Sequence, residues 1–344
     1  MDILHALIVL ANFIIVPAIA YGSQLALGAL GITLVVGVLR FSNFAHGETM
    51  AFGTMIVILM TWLFTAIGLS IYPLPTALLA LPFGIIGCIA IVLLTDKFVY
   101  KFYRKAKSTP VVLVMASLGV TFIMSGLIRF IIGPGDQRFA DGARFIIKAR
   151  DFKTMTGFKE GLAIKVTQSI TLVTAIIVVA ALFWFLNKTR TGKSMRAYSD
   201  NEDLALLSGI NPERVVMITW IIVAILATVA GTLYGLDKTF KPFTYFQLLL
   251  PMFAAAVVGG LGNPVGAIVG GFIIAFSEIS FTYAYKKVFT YLLPTDWAPT
   301  SLVQLLSTDY KFAVSFSILV LVLLFRPTGL FKGCLLYTSP SPRD

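Results

Sequence analysis

The sequence predicts an all-α fold, a polytopic integral membrane helical bundle with about ten apolar segments that are spans or re-entrant stretches. Three observations predict it. Hydrophobic residues make up 58% of the 344 residues and charged residues only 12%, against roughly 25% in a soluble domain whose surface must be wetted. Mean hydropathy is +0.91. Charges also avoid whole stretches: none occurs in 24–39, 111–124 or 248–277. A bilayer core about 30 Å thick takes about 20 apolar residues per helix, and several stretches approach or reach that length. Strand-period alternation is missing, which argues against a β-barrel.

The apolar segments lie at 5–20, 24–39, 49–68, 74–95, 111–132, 166–186, 215–236, 248–261, 265–283 and 312–325. Only Tyr21-Gly22-Ser23 separates the first two, and 248–261 is short enough to be re-entrant. Lys97, Lys101, Arg104, Lys105 and Lys107 follow the fourth segment, and Lys188, Arg190, Lys193, Arg196 and Arg214 follow the sixth. The positive-inside bias puts both loops in the cytoplasm, and on a count of ten it puts both termini there too. The loop 133–165 then falls outside, although it is also rich in Lys and Arg. A net charge of +11 is thus a matter of topology, and no nucleic acid partner is expected. Met1-Asp2-Ile3-Leu4-His5 lacks the basic start of a secretory signal.

Cys88 and Cys334 form no disulfide framework or metal pattern. With only His5 and His46 available, histidine catalysis has little to work with, and neither a catalytic site nor a cofactor is expected. The run Asn187-Lys188-Thr189-Arg190-Thr191-Gly192-Lys193-Ser194 ends like a phosphate-binding loop. It has Asn187 where the first glycine belongs and an apolar helix where a strand belongs, so no ATP site is expected.

The loop between the sixth and seventh segments carries a short amphipathic helix. Ser199 with Glu202 spells a capping box, Asp200 is an alternative cap, Leu204, Leu207 and Ala205 form an apolar stripe, and Gly209 ends it. Asn211-Pro212 starts the next span. Such a helix either rests on the membrane surface or docks into a partner. Gly262, Gly266 and Gly270 have the spacing that lets helix backbones approach in lipid. Asn263-Pro264 alternatively breaks a helix beside the substrate path. Ionisable groups inside a membrane are functional candidates. Here they are His46 and Glu48, with Asn43, at a span boundary, and the deeper Glu278, for which Arg129 is a candidate partner. The alternative for the boundary cluster is a solvated or capping role.

The loop from Thr191 through Arg196, Ala197, Asp200, Asn201, Leu204, Leu207 and Gly209 to Ile210-Asn211 resembles the cytoplasmic coupling loop of LivH-type permeases of branched-chain amino acid ABC transporters. Gly37-Val38-Leu39-Arg40-Phe41-Ser42-Asn43-Phe44-Ala45-His46-Gly47-Glu48 is similar to the early Asn-Phe-Ala-His-Gly signature of that family. Ala255-Ala256-Val257-Val258-Gly259-Gly260-Leu261-Gly262-Asn263-Pro264-Val265-Gly266-Ala267 is similar to its late glycine-rich segment, and Arg326-Pro327-Thr328-Gly329-Leu330-Phe331 to its ending. The stretches 133–165 and 286–309 depart from the family pattern.

The resemblance implies an importer permease domain over 1–332 in a bacterial inner membrane. Its implied partners are a second, LivM-type permease, two cytoplasmic ABC ATPases and a periplasmic or lipid-anchored solute-binding protein. The implied substrates are branched-chain amino acids, with urea, amides or other amino acids as the alternative. A secondary transporter is a further rival, weakened by the scarcity of intramembrane acids; a membrane-embedded enzyme has only the 43–48 cluster to draw on. Residues 333–344 read as a polar, proline-bearing, non-native and disordered tail. Truncation after Lys332 is expected to leave assembly and uptake intact; loss of either contradicts this.

Overall fold

The structure is a computed structural model, and it describes residues 2–138, 141–292, 301 and 303–331. The non-native tail predicted beyond residue 332 lies outside the described residues. Nine helical stretches among them are long and apolar enough to cross a membrane.

The first of these corrects the sequence reading. Helix α1 (Asp2–Leu10) runs through a π-helical turn (Ala11–Ile15) into α2 (Val16–Leu39), giving one helix where two were expected. Pro17 cannot donate a backbone hydrogen bond and its ring crowds the preceding turn; the wide π turn just before it accommodates the proline. Tyr21, Gly22 and Ser23 are buried packing residues. A Cβ at 22 would stand 2.6 Å from the Phe272 ring, and the Ser23 hydroxyl donates to the Ile19 carbonyl at 2.8 Å. In lipid, these small groups let helices close up where in water they would mark a turn.

Helix α3 (His46–Ala66) and α4 (Ala77–Thr95) form a hairpin; α4 continues through a second π turn (Asp96–Tyr100) into α5 (Lys101–Lys105). Helix α6 (Pro110–Ile132) is followed by a region holding a two-stranded antiparallel sheet, β1 (Phe145–Ile147) with β2 (Ile164–Lys165), around α7 (Ala149–Thr156). Then come α8 (Val166–Lys188), the short α9 (Arg190–Asp200) and α10 (Glu202–Leu207), and α11 (Pro212–Asp237). Helix α12 (Pro242–Gly259), read as spanning or re-entrant, has the length of a span. It pairs with α13 (Pro264–Thr282), and α14 (Lys286–Leu292) and α15 (Lys311–Phe325) complete the described chain.

Helix α2 is the axis of the bundle. It is buried along nearly its whole length and packs against α8, α11, α12 and α13. Helices α6, α8 and α15 expose Phe122, Phe130, Ile176, Trp184, Leu324 and Phe325, side chains suited to lipid or a second membrane chain.

Two spans separate the loops following α5 and α8, so those loops share a face. The N-terminal end lies on the other face: His5 Nε2 accepts from the Lys159 backbone at 3.2 Å, and its ring stacks on Tyr291. At the other end, the backbone N–H groups of Leu330 and Phe331 donate to the carbonyls of Val258 and Gly259, beside the α12–α13 turn. The two ends of the described chain therefore lie on opposite faces. The expectation that both termini share the side of the basic loops fails because the first two apolar stretches are one helix.

Candidate functional site

The connection between α8 and α11 begins with a tight reversal. Thr189 Oγ1 accepts from the Gly192 N–H at 3.0 Å and caps α9. Gly192 is required by space, since a Cβ there would stand 2.3 Å from the Phe185 carbonyl oxygen. Met195 and Tyr198 turn inward, while Arg196, Ala197 and Asp200 are exposed.

The single helix expected over 199–208 is two helices with a break at Asn201. That residue takes an extended backbone (φ −151°, ψ 109°) and its side chain accepts from the Leu204 N–H at 3.0 Å. The cap is therefore Asn201, not Ser199 or Asp200. Ser199 is still in the last turn of α9, and its hydroxyl donates to the Gly37 carbonyl at 2.9 Å. Glu202, the other half of the expected box, accepts from the Tyr198 hydroxyl at 2.6 Å and ties α10 to α9. Burial, together with that bond, raises the Tyr198 pKa, so the phenol stays a donor at neutral pH.

Gly209 has φ +79° and ends α10, and Asn211 caps α11 ahead of Pro212. Ala205 faces inward, so it is not part of the outward stripe; Leu204 and Leu207 are 61% and 85% exposed. Replacing Asn201 by Ala removes a cap, at a cost of about 1 kcal/mol to α10. The expected outcome is faster amide exchange at Leu204 with unchanged membrane level; unchanged exchange contradicts the capping role.

A cavity of about 360 Å³ lies behind α9. Thr33, Gly37 and Val38 of α2, Arg196 and Asp200 of α9, and Gly262 and Asn263 of the α12–α13 turn line it. The fold thus brings the glycine segment and the 191–210 loop together at one end of α2. Asn263 caps α13, its Oδ1 accepting from the N–H groups of Val265 and Gly266 at 3.0 and 3.1 Å. Gly262 sits in the turn with φ +85° rather than in a helix, so only Gly266 and Gly270 of the expected stripe pack helices. A Cβ at 266 would stand 2.2 Å from the Gly259 carbonyl oxygen, and one at 270 would stand 2.0 Å from that of Ala255.

The 43–48 cluster is not a solvated boundary. From Arg40 the chain runs inward, and α3 starts with the His46 ring against Gly31 of α2. That glycine precedes the end of α2 by eight residues, which places the start of α3 about 12 Å inside that end. His46 and Glu48 are buried, and among the described residues the imidazole nitrogens and Glu48 Oε2 meet no partner in hydrogen-bond geometry. Asn43 is an organiser: its Oδ1 accepts from the Ala45 N–H at 3.0 Å and from the Tyr100 hydroxyl at 3.1 Å. Tyr100 stacks on Trp220 with centroids 5.3 Å apart, and Trp220 donates to Asp96 at 2.7 Å.

Glu278 belongs to a separate group. It accepts from the Ser315 hydroxyl. Among the described residues Glu278 pairs with Ser315 and not with the candidate partner Arg129. The roles of Arg40 and Ser315 were missed by the sequence reading; a cation at the end of the charge-free stretch 24–39 was the available signal for Arg40.

A family model described as "Branched-chain amino acid transport system / permease component" matches residues 14–323. The chain belongs to that family. It is a multi-pass membrane transport permease. LivH of Escherichia coli K12, a high-affinity branched-chain amino acid transport system permease protein, is 28% identical over 321 residues, 91% of this permease and 92% of that protein. BraD of Pseudomonas aeruginosa, with the same description, is 28% identical over 322 residues, 92% and 94% of the two chains. The probable branched-chain amino acid transport permease protein LivH of Methanocaldococcus jannaschii is 32% identical over 280 residues, 81% and 83%. Among solved structures, PsaBC from Streptococcus pneumoniae in complex with Fab aligns over 91% of both chains at 11% identity and a TM-score of 0.46.

Proposed function

We propose that this permease is the membrane-spanning subunit of an importer of branched-chain amino acids in a bacterial cytoplasmic membrane. It forms the pathway with a second, LivM-type permease. Two cytoplasmic ABC ATPases bind the face carrying α9 and α10, and a periplasmic or lipid-anchored binding protein delivers the amino acid at the opposite face. The loops after α5 and α8 are then cytoplasmic with residues 326–331, and the N-terminal end is external, consistent with their basic charge.

One observation carries the coupling assignment: Leu204 and Leu207 stand exposed on a helix capped at Asn201, outside the long apolar spans. Solvated leucines held at fixed positions suit a groove on a partner. The buried His46, Glu48 and Glu278 are proposed to act in gating, since ionisable side chains inside a membrane are costly and rare unless used.

Substrate class is tested by uptake into vesicles holding the assembled transporter. Unlabelled leucine, isoleucine and valine are expected to compete with labelled leucine, and urea and short amides are expected not to. Competition by urea alone contradicts the amino-acid assignment and favours the other branch of the family.

A further inference from the structure

The tail of α9 meets the end of α2 in a reciprocal pair of contacts. Each helix ends with backbone carbonyls that have no partner inside the helix. The Gly37 carbonyl in the last turn of α2 accepts from the Ser199 hydroxyl at 2.9 Å. The Ser199 carbonyl in the last turn of α9 accepts from the Arg40 guanidinium. One arginine therefore stands at the C-terminal ends of two helices, where both dipoles favour a cation. Arg40 adopts φ +60° and ψ 24°, a left-handed conformation uncommon for a residue with a side chain, and it terminates α2 there.

The surroundings make this contact the direct link between α9 and the axis of the bundle. At its start, α9 is held to α8 by the Thr189 cap and by the close approach of Gly192 to Phe185. Behind its middle lies the 360 Å³ cavity, which separates Arg196 from the α12–α13 turn. At its end it grips α2, whose buried length contacts α8, α11, α12 and α13. Arg40 also begins the inward segment leading to the buried start of α3, with Phe41 packed on Tyr100 and Trp220. Displacing the tail of α9 thus pulls on α2 and on the entry to α3 together.

We infer that Arg40 and Ser199 form a strut between α9 and α2, and that they are positioning residues which carry motion of the ATPase-facing loop into the helices of the pathway. This rests on the coupling role proposed above. Both residues lie apart from the exposed leucines, so the strut and the docking surface are separable by mutation.

The test uses the complete transporter (both permeases, the ATPases and the binding protein) in vesicles. Three quantities are measured: recovery of the ATPases with the permease, ATP hydrolysis, and amino acid taken up per ATP hydrolysed. Arg40→Gln and Ser199→Ala are expected to keep recovery and hydrolysis. Uptake per ATP is expected to fall about tenfold in Arg40→Gln, the order set by losing one charge-assisted hydrogen bond, and less in Ser199→Ala. Arg40→Lys, which keeps a cationic donor, is expected to stay within about twofold of the unaltered chain.

Unchanged uptake per ATP in Arg40→Gln and Ser199→Ala overturns the strut. If Arg40→Gln does not reach the membrane, Ser199→Ala decides alone, because it removes one hydroxyl and leaves the carbonyl bound by Arg40 in place. Failure of the unaltered permease to retain ATPases through the 190–210 loop sinks the coupling role itself. That result is read from recovery, before any uptake ratio is compared.

Discussion

Gly266→Leu is expected to abolish accumulation of the permease in the membrane. Helices α12 and α13 approach so closely that a Cβ at 266 would stand 2.2 Å from the Gly259 carbonyl oxygen, and the reverse contact, from 259 to the Gly266 carbonyl, is 2.0 Å. Both obstacles are backbone, so no rotamer change relieves them. Over-packing that side chains can absorb costs ~1–3 kcal/mol; here two helices must separate, and the cost exceeds that range. Separation also breaks the seat of the C-terminal segment, because the Gly259 carbonyl accepts from Phe331. Gly119→Leu on α6 is the control, since nothing stands within 4 Å of a Cβ there. Normal levels of Gly266→Leu would mean that α12 and α13 do not meet at this face.

The class of the fold was legible because lipid imposes a simple requirement: long stretches without charge have to be helices that satisfy their own backbone. The start of α11 was legible because Asn211-Pro212 combines a side-chain acceptor with a residue that has no N–H to satisfy; the structure shows that cap, and shows the same device at Asn263-Pro264, read only as a helix break, starting α13. What failed did so for physical reasons. Tyr21-Gly22-Ser23 has turn chemistry in water, but inside the bundle it is a close-packing surface against α13. Ser199, Asp200 and Asn201 can each cap a helix, and only tertiary contact decides among them. Gly37 and Arg40 hold Ser199 within α9 and leave the break to Asn201. The segment 40–48 is polar enough to read as solvated, and nothing local announces that it dips beside Gly31. Burial of His46 and Glu48 is a property of α2 and α6, not of their own neighbours in sequence.

Leu204→Ala with Leu207→Ala is expected to release the ATPase subunits while leaving the permease in the membrane. Neither side chain supports the fold: they are 61% and 85% exposed, and Ala205, between them, makes the inward contact of α10. Asn201 and Gly209 fix the two ends of the helix, so the truncations leave its position unchanged. A buried leucine cut to alanine in a core costs ~2–5 kcal/mol, and an interface position somewhat less. Two of them together amount to about 2–4 kcal/mol, a loss of roughly 30- to 1000-fold in affinity. Truncating the exposed Arg196 to Ala is expected to act in the same direction and more weakly, as a rim charge does.

Recovery of the ATPase subunits with this double variant, at matched membrane levels, is the measurement on which the coupling role of α9 and α10 depends most directly. Loss of the ATPases from the purified permease, with uptake falling in parallel, is the predicted result. Equal recovery and equal uptake would contradict it and leave α10 as a helix resting on the membrane surface.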